Sequence, residues 1–494
     1  MNANIFAAFA AAAARASDRT FLDEGGRILD YAGMLQRTAE VSGALKSLGI
    51  RQGDRVVAQV DKSVSAVLLY LGCLRAGAVF IPLNTAYIPS EVAYFLGDAQ
   101  PKLFVCTDEA AQSMRAADAI PADMQVVTLN ADETGSFARI DAPADVAIAR
   151  CVGEDVAAIL YTSGTTGRSK GAMLTHENLL SNVRALNTIW QWRDDDVLIH
   201  ALPIFHAHGL FVALHCSLLR ATPMLFHKSF DAEAVIADLS RASVFMGVPT
   251  FYARLLKQDG LTSDATAGVR VFISGSAPLT EMVFNAFEAR TGKRILERYG
   301  MTEALMITSN PYDGNRVAAT VGFPLPDVRV RVREPGEPGV LEIRGPNVFR
   351  GYWRQPIKTR EAFTDDGYFV TGDVATIDAD GRVSLVGRET DLVISGGYNV
   401  YPKEIEMLID EMAGVEEAAV IGVPHPDFGE AVVAIVVAQS GAVIDVDAIG
   451  ETLRLRLAAF KRPKKILPIE SLPRNAMGKV EKKLLRQQHA ELFA

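Results

Sequence analysis

The chain has 494 residues, 49% of them hydrophobic and 22% charged, and a formal net charge of −9. Its length suggests about three domains on a loose prior of ~150 residues each, and its composition is that of a globular protein with ample core. The acidic balance argues against a general nucleic-acid role.

The N-terminal stretch "MNANIFAAFAAAAARASDRTF" is Ala-rich, with no basic residue ahead of its apolar run. A secretory signal needs that charge, so a first helix ending near Arg15 is expected instead. The most apolar window, "SVSAVLLYLGCLRAGAVFIPL", is interrupted by Arg75 and Gly77 and reads as a core helix followed by a strand, not a membrane span. Cys73, Cys106, Cys151 and Cys216 show no metal-like pairing. They are expected to be buried free thiols, which fits a reducing, cytoplasmic setting.

Across residues 1–150, helical patterns such as "SEVAYFLGDA" alternate with short apolar runs, "RVVAQV", "AVFIPL" and "PKLFVC". That alternation predicts an α/β layer with parallel strands. The pattern continues to about residue 310 through "VLIHALP", "TPMLFH", "VFMGVP" and "VRVFISG". From about Val321 the texture changes to short alternating strands with Gly and Pro turns, which predicts a small barrel or antiparallel sheet. After "GRETDLVISGG" the pattern resets to helix, strand, strand and helix, so a domain boundary falls near Arg388 to Asp391 and a small α+β domain follows.

Within this frame, "YTSGTTGRSKGAML" gathers Thr162, Ser163, Gly164, Thr165, Thr166, Gly167, Ser169 and Lys170 in one loop. A strand-like run precedes it, and "LTHENLLSNVRAL", with Thr175 as N-cap, predicts a helix after it. Glycine lets backbone N–H groups turn inward, hydroxyls add donors and Lys170 adds charge. Together they read as a phosphate cradle joining a strand to a helix. No Gly-Lys-Ser/Thr triplet is present, so this is not a Walker A loop.

Five later stretches add chemistry. "ISGSAPL" ends a strand in the turn Gly275, Ser276, Ala277, which by itself reads equally as structure. In "LERYGMTEA", Tyr299 could stack on a flat ring or pack in the core, and Glu303 could hold Mg2+ against phosphate. "YFVTGDVATID" leaves Asp373 after a turn, suited to two ribose hydroxyls, and "LVGRETD" presents Arg388 at a strand end. Either alone reads as a turn Asp or a surface Arg. "PRNAMGKVEKKLLR" sets Lys479 just after a glycine turn, ahead of a solvated charge run.

The ordered set "YTSGTTGRSKGAM", "ERYGMTE", "YFVTGD", "GRETDLVISGGYNVYPKEIE" and "PRNAMGKVEKK" resembles the adenylate-forming superfamily, over nearly the whole chain. Within it, "LPIFHAHGLFVALH", "MGVPTFYARLL", "ERYGMTEALMITSNPYDG" and "GPNVFRGYWRQP" look most like the malonyl-CoA synthetase branch. The resemblance implies an α/β and α+β multidomain fold. Residues 1–389 would form a large N-terminal domain of α/β layers plus a small β-barrel. Residues 391–494 would form a mobile domain, hinged near Thr390, where the family usually has Asp or Lys.

It also implies roles. Thr162 to Lys170 would hold the ATP phosphates, with Thr162 also near the metal. Tyr299 would stack on adenine beside Gly275–Ala277, with Arg298, Gly300, Met301 and Thr302 around the nucleotide. Asp373 and Arg388 would bind ribose, Glu303 would coordinate Mg2+, and Lys479 would touch the carboxylate and α-phosphate. Arg254 and Arg298 would take the second carboxylate of a dicarboxylate, with Ser276 and His206 lining its path and His208 near the entrance. The implied reaction joins malonate or methylmalonate to coenzyme A through an acyl-adenylate, releasing AMP and pyrophosphate. The alternative is another short carboxylic or dicarboxylic acid. Carrier-dependent adenylation, luciferase-like oxygenation and a dead binding protein are the rival readings. A lysine acetyltransferase acting on Lys479 is a further expected partner; nucleic acid and membrane are not.

Overall fold

The computed structural model describes residues 2–162, 169–332, 338–395, 398–475 and 479–493. Two sheets carry the first part of the chain. The larger has nine strands, ordered Phe323–Pro324, Leu305–Ser309, Leu296–Met301, Val271–Ser274, Val244–Gly247, Leu198–His200, Met224–Phe226, Thr20–Glu24 and Arg27–Asp30. Its centre is parallel and its edges are antiparallel. The central strands are buried along their length, as "VFMG" and "VFIS" are, which is the continuous apolar pattern of a parallel strand covered on both faces.

The second sheet has seven strands, and its parallel part runs through Val79–Pro82, Arg55–Gln59, Leu103–Cys106 and Gln125–Thr128. The helix Val64–Ala76 is buried on all sides between layers. Ser63 caps its start, and Gly77, at φ +73°, ends it in the left-handed conformation that glycine adopts without strain. All four cysteines are buried and free, as expected.

One expectation is corrected here. The glycine-rich loop does not lead from strand to helix. It closes a hairpin: Val156–Thr162 pairs antiparallel with Lys170–Thr175, and only then does the helix His176–Ile189 begin. The run "KGAMLT" is too short to show its period beside so strong a helix signal. Thr175 does cap the helix, its side chain accepting from the Asn178 N–H at 3.2 Å.

After Val321, four strands form an antiparallel sheet in the order Arg329–Val332, Gly339–Arg344, Phe369–Ile377, Val383–Arg388, while Phe323–Pro324 and Gly351–Tyr352 join the nine- and seven-stranded sheets. Beyond it, Val415–His425 and Gly429–Ala438 form a long hairpin. Its alternate residues face opposite ways: Val420, Val432, Ala434 and Val436 enter one core, and Ala419, Ile421, Val433 and Ile435 another. That is period-2 alternation with both faces covered. Among the described residues no helix is long and apolar enough to cross a membrane.

Candidate active site

The parallel strands of the nine-stranded sheet end at His200, Gly247 and Ser274, and the candidate residues gather beyond those carboxyl ends, where open α/β sheets place their ligands. Asp373 and Arg388 are direct partners across two antiparallel strands, with Arg388 Nε 2.8 Å from Asp373 Oδ1. The Tyr299 hydroxyl donates to Asp373 Oδ2. Burial and the neighbouring Asp373 carboxylate raise the Tyr299 phenol well above its ordinary range, so it stays a donor. The same carboxylate raises the Arg388 guanidinium. Register breaks at Tyr299/Gly300, where a Cβ on Gly300 would stand 2.1 Å from the Leu305 carbonyl oxygen. Glycine there lets the chain turn, leaving Met301 and Thr302 half-buried at the rim.

Glu303 is buried, and the Tyr352 hydroxyl donates to its Oε1 at 3.1 Å. Desolvation raises its acid, partly countered by Tyr352, Arg388 and Lys170. Lys170 opens the second hairpin strand with its Nζ 4.6 Å from the centre of the Tyr352 ring. Thr162 closes the first strand, its hydroxyl 3.5 Å from the Lys170 carbonyl oxygen. Ser163, Gly164, Thr165, Thr166 and Gly167 lie outside the described residues.

Arg298 is 2% exposed, and its Nε and Nη2 have no hydrogen-bond partner among the described residues. Burial lowers the guanidinium to about 9, so it remains charged at neutral pH. It packs against bare backbone, since a Cβ on Gly275 would sit 2.5 Å from Arg298 Cζ. Ser276 follows at φ +72°, with Oγ 3.2 Å from His208 Nδ1, and half-buried Ala277 completes the turn. Burial, with Lys479 and Arg298 nearby, pushes the half-buried His206 down to about 3. Arg254 is not buried with Arg298: it is exposed, its guanidinium 4.9 Å from the centre of the Phe230 ring.

Lys479 joins these groups from the C-terminal part of the chain. The residue as a whole is exposed, but its ammonium is desolvated among Arg388, Asp373, Glu303 and Arg298, which on balance lowers it. Its N–H donates to Asn475 Oδ1 at 3.1 Å. Thr390 lies exposed in the 3-10 turn Glu389–Asp391, and its neighbour Asp391 pairs with Arg486 at 2.6 Å. A polar anchor is therefore present one residue after the expected position. The site thus brings together Lys170, Arg298, Tyr299, Glu303, Asp373, Arg388 and Lys479 from separate elements.

Sequence reasoning missed Tyr352 and Glu297. Tyr352 lies inside a quoted motif, but its partner Glu303 is 49 residues away. Glu297 directly precedes Arg298, is 5% exposed, and accepts from the Leu279 N–H at 3.0 Å. No spacing rule picks out either residue.

Residues 9–353 match the AMP-binding enzyme family, and residues 404–479 match the AMP-binding enzyme C-terminal domain. The chain belongs to the AMP-binding enzyme family. A malonate–CoA ligase of Arabidopsis thaliana is 34% identical, covering 90% of this chain and 79% of the relative. A feruloyl-CoA synthase of an Amycolatopsis species is also 34% identical, covering 95% of this chain and 96% of the relative. The crystal structure of ATP-bound MatB from Rhodopseudomonas palustris superimposes with a TM-score of 0.95 at 48% identity, over all of both chains. The apo form of the same protein, also at 48% identity over all of both chains, gives 0.85.

Proposed function

We propose that this chain is an acid–thiol ligase that uses ATP to join malonate, or methylmalonate, to coenzyme A, releasing AMP and pyrophosphate. Overall similarity does not choose the acid, because a malonate ligase and a feruloyl ligase are equally identical to the chain. The observation that carries the choice is Arg298, a buried guanidinium with two nitrogens that have no hydrogen-bond partner among the described residues. An aromatic tail would leave that cation uncompensated, whereas a second carboxylate pairs it.

The residues support an acyl-adenylate route. A carboxylate is a poor acylating agent, since its leaving group would be oxide. Attack of its oxygen on the α-phosphorus of ATP expels pyrophosphate and makes a good leaving group, AMP. Tyr299 and Gly275–Ala277 would hold adenine, with Gly300, Met301 and Thr302 beside it. Asp373 and Arg388 would hold ribose, and Thr162, Lys170 and the intervening loop the departing phosphates. Lys479 would neutralise charge where carboxylate and α-phosphate meet. Catalysis of this kind is chiefly positioning and charge stabilisation. A thiol then attacks the acyl carbon and displaces AMP.

The residues fit Mg2+. Glu303 offers a buried carboxylate raised by desolvation, which a cation would relieve. Among the described residues no group of three or more His, Cys, Asp or Glu forms a cation cage, and Mg2+ typically binds one or two carboxylates plus substrate phosphates. When bound, the ion would offset phosphate charge as pyrophosphate leaves. Thr162 is the second candidate ligand.

The acid pocket would take the distal carboxylate on Arg298, with Ser276 and His206 along its wall and Arg254 reaching it from the exposed face of its helix. We assign residues 1–389 to the nucleotide- and acid-binding body and 391–494 to a domain that swings about Thr390. Acetylation of Lys479 by a lysine acetyltransferase would remove its charge and stop the first step, and a cytoplasmic location fits this chemistry.

The test is ATP- and CoA-dependent AMP release across a panel of short mono- and dicarboxylates, with thioester products identified by mass. Malonate or methylmalonate should give the highest kcat/KM. Arg298→Ala should cost about 3–5 kcal/mol with that acid. Preference for an aromatic or monocarboxylic acid would overturn the assignment.

A further inference from the structure

His208 is 2% exposed and only half satisfied: Nδ1 lies 3.2 Å from Ser276 Oγ, and Nε2 is buried with no hydrogen-bond partner among the described residues. Arg298 Nε and Nη2 are orphaned in the same way. Buried polar atoms in native proteins are almost always paired, so three orphans on two neighbouring side chains point to a ligand that supplies acceptors. A carboxylate supplies about four lone-pair sites on two oxygens.

One turn brings the two side chains together. Gly275 presents bare backbone to the Arg298 guanidinium, and Ser276, at φ +72°, meets His208 with its hydroxyl. From the other side, His208 opens the π-helical turn His208–Ala213. That turn is tied down behind the site. His200 Nε2 lies 3.0 Å from the Gly209 carbonyl oxygen, and His200 Nδ1 lies 3.0 Å from Lys62 Nζ. A carbonyl can only accept, so His200 carries its proton on Nε2 and leaves Nδ1 to accept from Lys62. Gly209 itself packs so closely that a Cβ would stand 2.1 Å from the Pro203 carbonyl oxygen. Pi-helical turns are frequent at functional sites.

Burial and the Arg298 cation hold His208 well below its usual range, so the ring is neutral, with one donor and one acceptor nitrogen. We propose that His208 is a specificity-determining residue: Ser276 donates to its Nδ1, and its Nε2–H binds the distal carboxylate of the acid together with Arg298. This inference rests on the dicarboxylate reading of the site. A methyl group in place of that carboxylate would leave all three donors unpaired, the kind of mismatch that rejects a substrate most strongly.

The test is steady-state kinetics of the full chain with malonate and butyrate, for the parent, His208→Leu, His208→Gln and His208→Asn, with thermal midpoints recorded. Leucine should raise the malonate KM about 10- to 100-fold, with the ATP KM within about twofold, and should lower the malonate-to-butyrate ratio of kcat/KM. The glutamine amide nitrogen reaches the Nε2 position and should recover the malonate KM to within about fivefold. The asparagine amide matches Nδ1 instead, so it should fail to recover it. If the leucine variant does not fold, the glutamine–asparagine difference decides. An unchanged malonate KM with leucine, or equal values for glutamine and asparagine, would overturn the proposal. A parent that ignores malonate but uses another short dicarboxylate sinks only the acid named above, and the same comparison then runs with that acid. A parent that uses no dicarboxylate overturns both.

Discussion

Asp373 and Arg388 face each other across two antiparallel strands, and the same aspartate also accepts from Tyr299 on the neighbouring sheet. One carboxylate therefore ties the ring expected to stack on adenine to the cation expected near ribose. Tyr299→Phe removes only the hydroxyl bond, worth about 1 kcal/mol, and should raise the ATP KM a few-fold. Asp373→Ala leaves the Tyr299 hydroxyl and Arg388 both without their acceptor and should raise it at least tenfold. ATP titration of both variants checks the order. A phenylalanine variant worse than the alanine variant would break the argument.

Gly275 makes a sharper test of the acid pocket. Its ideal Cβ would stand 2.5 Å from Arg298 Cζ and Nη1, so Gly275→Ala must displace the guanidinium. The end of a long side chain can move, so the fold should survive. The malonate KM should rise about tenfold or more, and the thermal midpoint should change little. An unaltered malonate KM would show that Arg298 does not need its present place.

Much of this arrangement is legible in the sequence, because the strand-like runs are short and apolar and the turns are rich in glycine. The Thr175 cap, the helix Val64–Ala76 and the two-faced C-terminal hairpin all follow from local pattern. The strand Lys170–Thr175 does not, because its six residues are too few to show a period ahead of so strong a helix signal. Tyr352 against Glu303 and His208 against Ser276 are contacts between distant segments, so no periodicity announces them. Arg298 stands in a recognisable motif, but its burial with Nε and Nη2 unpartnered among the described residues is visible only in three dimensions.

Glu297 gives a prediction in pH. It is 5% exposed, and burial raises its acid to about 8 from an ordinary value of 4.5. The folded state thus binds more protons than the unfolded state between those values. The stability this group contributes is complete below about pH 4.5 and is lost as pH rises through about 8. Glu297→Gln keeps the acceptor for the Leu279 N–H and removes the titration. Thermal midpoints of parent and variant should be closest near pH 5, with the variant gaining progressively toward pH 8.5. Parallel curves would show that Glu297 ionises without cost.

The desolvated ammonium of Lys479, among Arg388, Asp373, Glu303 and Arg298, bears on how the two half-reactions divide. The chain superimposes more closely on the ATP-bound relative than on its apo form, at TM-scores of 0.95 and 0.85. On the proposed route this orientation would serve the first step. If the C-terminal part swings afterwards, Lys479 is carried away and serves adenylation alone. Lys479→Ala should then slow malonyl-adenylate formation about a hundredfold to a thousandfold, as removal of a transition-state charge partner does. The same variant should convert preformed malonyl-adenylate and CoA to thioester at near the parental rate. Thr390→Pro should show the reverse. Thr390 lies in the 3-10 turn Glu389–Asp391; such turns typically hold φ at about −60°, which is what proline fixes, and proline is tolerated in a first helical turn. That substitution should hold the present orientation, sparing adenylation and slowing thioester formation. Each half-reaction is assayed separately in both variants. Equal damage to both steps by Lys479→Ala would mean that one arrangement serves the whole reaction, and the swing about Thr390 would have to be abandoned.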